Sequence, residues 1–118
     1  MALGATRLAI RDLSSLGRQP MASPYTGCVA AYNGELYNAG ELRADLQGAG
    51  RRFASDGDTE VVLAAFERWG EGCITRLRGM FAVALWDPRT HTLVLARDAL
   101  GIKPLYLCTA DGTLTFAS

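Results

Sequence analysis

A few polar residues of this chain are of the right type to do chemistry together. Asn33 and Gly34 are adjacent, so an amide side chain and a glycine backbone can offer two N–H donors side by side. That pair is what an oxyanion hole requires, and glycine leaves room for a reacting carbonyl to come close. Arg7 carries a guanidinium suited to gripping a carboxylate with two hydrogen bonds. Asp58 offers an anion that could hold an ammonium group, and Glu35, next to the Asn-Gly pair, can brace that segment or touch a ligand. A cation for an α-carboxylate, an anion for an α-ammonium and donors for a side-chain carbonyl describe free glutamine. Each residue also has a plain structural role open to it. Asn-Gly makes ordinary tight turns, Arg7 can be a solvated strand end, Asp58 a helix cap and Glu35 an exposed turn acid.

The elements that must position these residues can be read in order. Residues 7–13 alternate apolar and polar, so they form a strand that starts at Arg7. Residues 14–26, with two prolines and several serines, form a loop. Residues 27–32 are a buried strand that breaks into a surface turn at Asn33-Gly34. Asn38 caps a helix that runs to about Gln47, with Glu41 completing a capping-box pattern and Gly48 and Gly50 stopping it. Asp58 caps a second helix, on which Val61, Val62, Ala65, Phe66 and Trp69 share helical spacing up to Gly70. Ile74 and Leu77 suggest a further turn or two. Residues 80–86 form a strand buried on both faces, turned at Asp87-Pro88-Arg89-Thr90 into a partner strand at 92–97. Residues 105–108 and 113–116 make a hairpin around Asp111-Gly112. Helices on antiparallel sheet, with sheet packed on sheet, is the simplest architecture.

The 118 residues are enough for one domain or a piece of one, and 49% hydrophobic residues exclude a disordered chain. Twelve Lys+Arg balance twelve Asp+Glu, so nothing favours nucleic acid or an anionic membrane as partner. No apolar run is long enough for a membrane span, and no secretion signal is visible. The odd cysteines Cys28, Cys73 and Cys108 are too far apart in sequence for a disulfide framework or zinc site. They read as small core residues in a reducing, cytoplasmic setting. His91 falls in the turn before residue 92 and reads as exposed.

In its motifs the chain resembles the glutamine amidotransferase domain of glutamine-hydrolysing asparagine synthetases, a class II amidotransferase. The matching stretches are residues 7–13, Gln19-Pro20-Met21, Tyr32 to Asn38, Asp58 to Val61, Gly79 to Ala82, Leu85-Trp86-Asp87 and Arg97 to Tyr106. The resemblance implies an α+β fold, the N-terminal-nucleophile hydrolase αββα sandwich of antiparallel sheets, here missing its first strands. It places Arg7, Asn33, Gly34, Glu35 and Asp58 on the glutamine-binding positions, with Asn33 and Gly34 as the oxyanion hole. It implies a partial type 2 amidotransferase domain over 1–118 that binds glutamine and no metal. A synthetase domain in cis would use ATP and Mg2+ to amidate aspartate, and a homodimer is compatible with the pattern.

One departure matters. The family's nucleophile is an N-terminal cysteine whose own α-amine acts as base, and this chain begins Met1-Ala2. Both ends read as cut, and no phosphate-cradling glycine loop is present. The expectation is therefore a chain without glutaminase activity that binds glutamine at best, and that is marginally stable or self-associating on its own. Ala5, Arg18 and Gly57 are smaller departures from the family's usual residues. Two other readings stay open: a non-catalytic glutamine-sensing or interaction module, and the corresponding domain of a β-lactam-forming or peptide-tailoring synthetase.

Overall fold

The computed structural model describes residues 2–4 and 15–118. The expected strand at 7–13, and Arg7 with it, lies outside the described residues. A single 3-10 turn, Ser15–Gly17, precedes strand β1 (Met21–Ala22). Then come β2 (Val29–Leu36), helix α1 (Ala39–Gly48), helix α2 (Asp58–Trp69) and a 3-10 stretch, Gly70–Arg76. Strands β3 (Gly79–Asp87), β4 (Thr92–Arg97), β5 (Tyr106–Ala110) and β6 (Thr113–Ala117) complete the chain. β1 to β4 form one antiparallel sheet in chain order, and β5 and β6 form a separate hairpin. The fold is α+β, as expected. Among the described residues, no helix is long and apolar enough to cross a membrane.

Alternation along the strands explains the core. Ala30, Tyr32 and Leu36 of β2 and Phe81, Val83 and Leu85 of β3 pack against Leu42 and Leu46 of α1 and against α2. Residues 58–66 of α2 are all buried, including Asp58, Thr59 and Glu60. Leu36, Leu63 and Leu85 are fully enclosed, each contributing roughly 2–3 kcal/mol of apolar burial. Ala82 and Ala84, on the other face of β3, are buried as well, so this strand is covered on both sides as its composition predicts. The β5–β6 turn has positive φ at Asp111 (50°) and Gly112 (74°), the geometry a two-residue hairpin needs.

Three local expectations are corrected. No turn occurs at Asn33-Gly34, because β2 continues through both to Leu36. Gly34 is needed there for a close approach between strands. A Cβ on it would overlap the Met80 carbonyl oxygen and lie 2.7 Å from Phe81 Cα. Gly79 mirrors this, since its Cβ would overlap the Glu35 carbonyl oxygen and lie 3.0 Å from Leu36 Cα. Asn38 precedes α1, but its side chain makes no capping bond. It turns instead to the 3-10 stretch, donating from Nδ2 to Arg76 O at 2.9 Å and accepting from Arg78 N at 3.0 Å. Asp58 is the first residue of α2, with Gly57 at the cap position, and its carboxylate reaches β2.

Asp98 anchors the segment after β4. Its Oδ2 accepts from Phe81 N and Lys103 N, both at 3.1 Å, and its Oδ1 accepts from Ile102 N at 2.9 Å. Burial pushes this carboxyl up, but the N–H donors of Lys103, Ile102, Phe81 and Leu100 outweigh it and hold the group down at about 2. The side-chain bond from Arg89 holds Asp87 near the same value, about 2.

Gly79→Ala is expected to cost about 2–3 kcal/mol, the scale of forced overpacking. Gly40→Ala, on an exposed helix position with nothing near its Cβ, is expected to gain about 0.5 kcal/mol; thermal melts of both variants check the contrast. A carboxyl with a lowered folded value adds stability that is complete above its unfolded value of about 4. For Asp98 that stability is lost as pH falls through about 2. Asp98→Asn should melt lower than the parent at neutral pH and lose less on acidification through this window. Parallel slopes would contradict this assignment.

Candidate functional site

The site is organised along one edge of β2. In an antiparallel ladder, alternate residues send N–H and C=O to the same side. On β2 the even-numbered residues address the edge away from β3. Ala30 does so opposite Met21 of β1. The same register brings Gln19, just before β1, opposite Tyr32. There the Gln19 carboxamide stands in for a strand partner. Tyr32 N donates to Gln19 Oε1 at 2.5 Å, and Gln19 Nε2 donates to Tyr32 O at 2.8 Å. Two steps beyond Gly34, Leu36 N donates to Asp58 Oδ2 at 2.8 Å. By this parity the Gly34 N–H faces the same edge, between a carboxamide and a carboxylate, and among the described residues side chains line that edge.

Asp58 is delivered there by α2 and by the loop that precedes it. The carboxylate of Glu60 accepts from Ala54 N at 2.9 Å, from Ser55 N at 2.7 Å and from Ser55 Oγ at 2.6 Å. Arg43 of α1 stacks on Phe53 and donates to Ser55 O at 3.0 Å. The loop is thus held from both helices, and Asp58 enters α2 at a fixed place against β2.

Asn33 and Glu35 fall on the other parity of β2, facing away from the helices. Asn33 is exposed, and its Nδ2 donates to Ser118 Oγ, just past β6, at 2.9 Å. One hydrogen of that amide is engaged there. Glu35 is half-buried. The structure brings Gly34, Asp58 and, one residue away, Asn33 to one stretch of β2. Arg7 lies outside the described residues. Sequence reasoning assigned no role to Gln19, Glu60 and Ser118, whose bonds span up to 85 positions; only the Gln19-Pro20-Met21 motif hinted at the first.

Two of the three thiols are shut away from any ligand. Cys28 and Cys73 are fully buried, and burial pushes the Cys73 thiol up to about 11, the opposite of activation. Cys108 corrects the expectation of a core residue. It is exposed, because every residue of β5 is open to solvent. His91 is exposed, as expected, with its ring 6.1 Å from that of Trp86. A groove of about 410 Å³ beside Tyr25, Arg51, Glu67 and Arg68 includes none of the site residues.

A protein family described as "Glutamine amidotransferase domain" matches residues 1–118. The chain is 43% identical over 117 residues to asparagine synthetase [glutamine-hydrolyzing] 3 of Bacillus subtilis, covering 98% of this chain and 19% of that protein. It is 45% identical over 120 residues to a putative asparagine synthetase [glutamine-hydrolyzing] of Mycobacterium bovis, covering 98% of this chain and 18% of that protein. The chain thus spans under a fifth of the length of these relatives. Among solved structures, glutamine phosphoribosylpyrophosphate amidotransferase from B. subtilis has the same fold, with a TM-score of 0.73 at 23% identity over 87% of this chain and 25% of that one.

Glu60→Ala is expected to leave the Ala54 and Ser55 N–H groups without their acceptor, costing about 2 kcal/mol. Hydrogen exchange should quicken first at those two amides. Unchanged protection there would show that the loop is held by other means.

Proposed function

The chain belongs to the glutamine amidotransferase family, and from that premise we propose that it is the glutamine-binding part of a glutamine-hydrolysing asparagine synthetase. The observation that carries this reading is the β2 edge, where the Gly34 N–H emerges between the Gln19 carboxamide and the Asp58 carboxylate. In the proposal Asp58 receives the α-ammonium of L-glutamine while Leu36 N holds its other face. Arg7 grips the α-carboxylate, and Glu35 borders the side chain. Gly34 N–H and Asn33 Nδ2 point at the carboxamide oxygen. Each such donor supplies roughly 100- to 1,000-fold in rate when negative charge develops on that oxygen.

Hydrolysis needs a thiolate and a base at the carboxamide carbon. In the intact protein a cysteine with a free α-amine attacks, ammonia leaves and a thioester forms, which water then opens to glutamate. The ammonia passes to a synthetase domain in cis, where aspartate activated by ATP becomes asparagine. ATP and Mg2+ belong to that domain. Among the described residues here, no three His, Cys, Asp or Glu side chains group to hold a metal ion. The three thiols of residues 1–118 carry no α-amine, so these residues bind glutamine without hydrolysing it.

Calorimetric titration of the 118-residue chain with L-glutamine tests the reading. Binding is expected, with Asp58→Asn weaker by about ten- to a hundredfold, the usual worth of a charged hydrogen bond. Asparagine can still accept from Leu36 N, so the fold should survive. Equal affinity in both proteins would remove Asp58 from the site. Ammonia release above a protein-free blank would contradict the absence of turnover.

A further inference from the structure

Gln19 ties the strand side of the site to the helix side, as Asp58 does through Leu36 N. Its carboxamide brackets the backbone of Tyr32, the residue before Asn33, with one accepted and one donated bond. The same Nε2 also donates to Thr59 Oγ1 at 3.1 Å, next to Asp58 at the start of α2. Each Nε2 hydrogen therefore has its own acceptor, one on the strand and one on the helix. These contacts are partly buried, so water competes poorly for them. The direction of the Gly34 N–H is set by the plane of β2 between Tyr32 and Leu36. Gln19 holds one end of that segment and Asp58 the other.

We propose that Gln19 is a positioning residue for carboxamide recognition: it fixes the Asn33-Gly34 donors at a set distance from the Asp58 carboxylate, so that a ligand held by its ammonium group presents its side-chain amide to them. Gln19 touches no ligand itself. The proposal rests on the glutamine reading above. It assigns to this residue the preference for a carboxamide over an apolar side chain of like length.

The test compares L-glutamine with L-2-aminopentanoate, which keeps the amino-acid end and lacks the carboxamide. Affinities come from NMR titration of the whole chain. The parent should prefer L-glutamine. Gln19→Met keeps length and loses all three bonds. It should lower the preference by about tenfold, the worth of about 1.4 kcal/mol, while 2-aminopentanoate binds as before. A purely structural brace would weaken both ligands together and leave the ratio unchanged, and that result overturns the proposal. If Gln19→Met does not fold, Thr59→Val removes only the bond to the helix. It should also lower the ratio, and a parental ratio there overturns the proposal equally. A parent chain that binds no glutamine sinks the underlying reading, and this role with it. A parent that binds while Gln19→Met keeps its ratio sinks the role alone.

Discussion

The backbone of β2 from Tyr32 to Leu36 has polar groups on an edge that β1 does not reach, and such groups must find partners. Among the described residues, side chains supply them at Tyr32 and Leu36. Gln19 pairs with Tyr32 as a strand would, and Asp58 accepts from Leu36. A strand edge closed by side chains differs from one closed by another strand. Among the described residues it leaves the backbone N–H of Gly34 flanked by groups of defined charge. The rest of the described structure serves to hold that edge in place.

The other side of β2 supplies the stiffness. The ladder to β3 runs the full length of β2, from Val29 opposite Trp86 to Leu36 opposite Gly79. Near the site the two backbones come so close that neither Gly34 nor Gly79 can carry a side chain. β3 is in turn fixed by Asp98, whose backbone N–H and carboxylate both engage Phe81. On the helix side, Glu60 and Arg43 lock the loop that leads into Asp58. Donors that stabilise a developing oxyanion act best when they need not reorganise. A strand pinned from both edges meets that condition.

The parts of this fold legible in the sequence are those governed by local pattern. Helical spacing located α2 and the short turns after it. A run of apolar residues located β3 and its burial on both faces, and Asp111-Gly112 located the last hairpin. Most of the misreadings share one cause, a residue whose local habit is overridden by a distant partner; Cys108 is the exception. Asn-Gly suits turns, but Gly34 serves strand contact with Met80 and Phe81. Asn38 and Asp58 suit helix caps, but their side chains bond residues far away in sequence. Cys108 reads as core by type, yet β5 is open on both faces. The chemical types at Asn33, Gly34 and Asp58 were legible. The groups that align them were not, because Gln19 sits in a stretch with no periodicity and Ser118 meets Asn33 across 85 positions.

The central claim is that a carboxamide docks at the β2 edge. The direct measurement is an amide NMR titration of the 118-residue chain with L-glutamine. The Gly34 N–H and the Asn33 side-chain amide are expected to shift together and saturate at the same concentration. Shifts confined to the groove around Tyr25 and Arg51, with Gly34 unmoved at saturation, would contradict it.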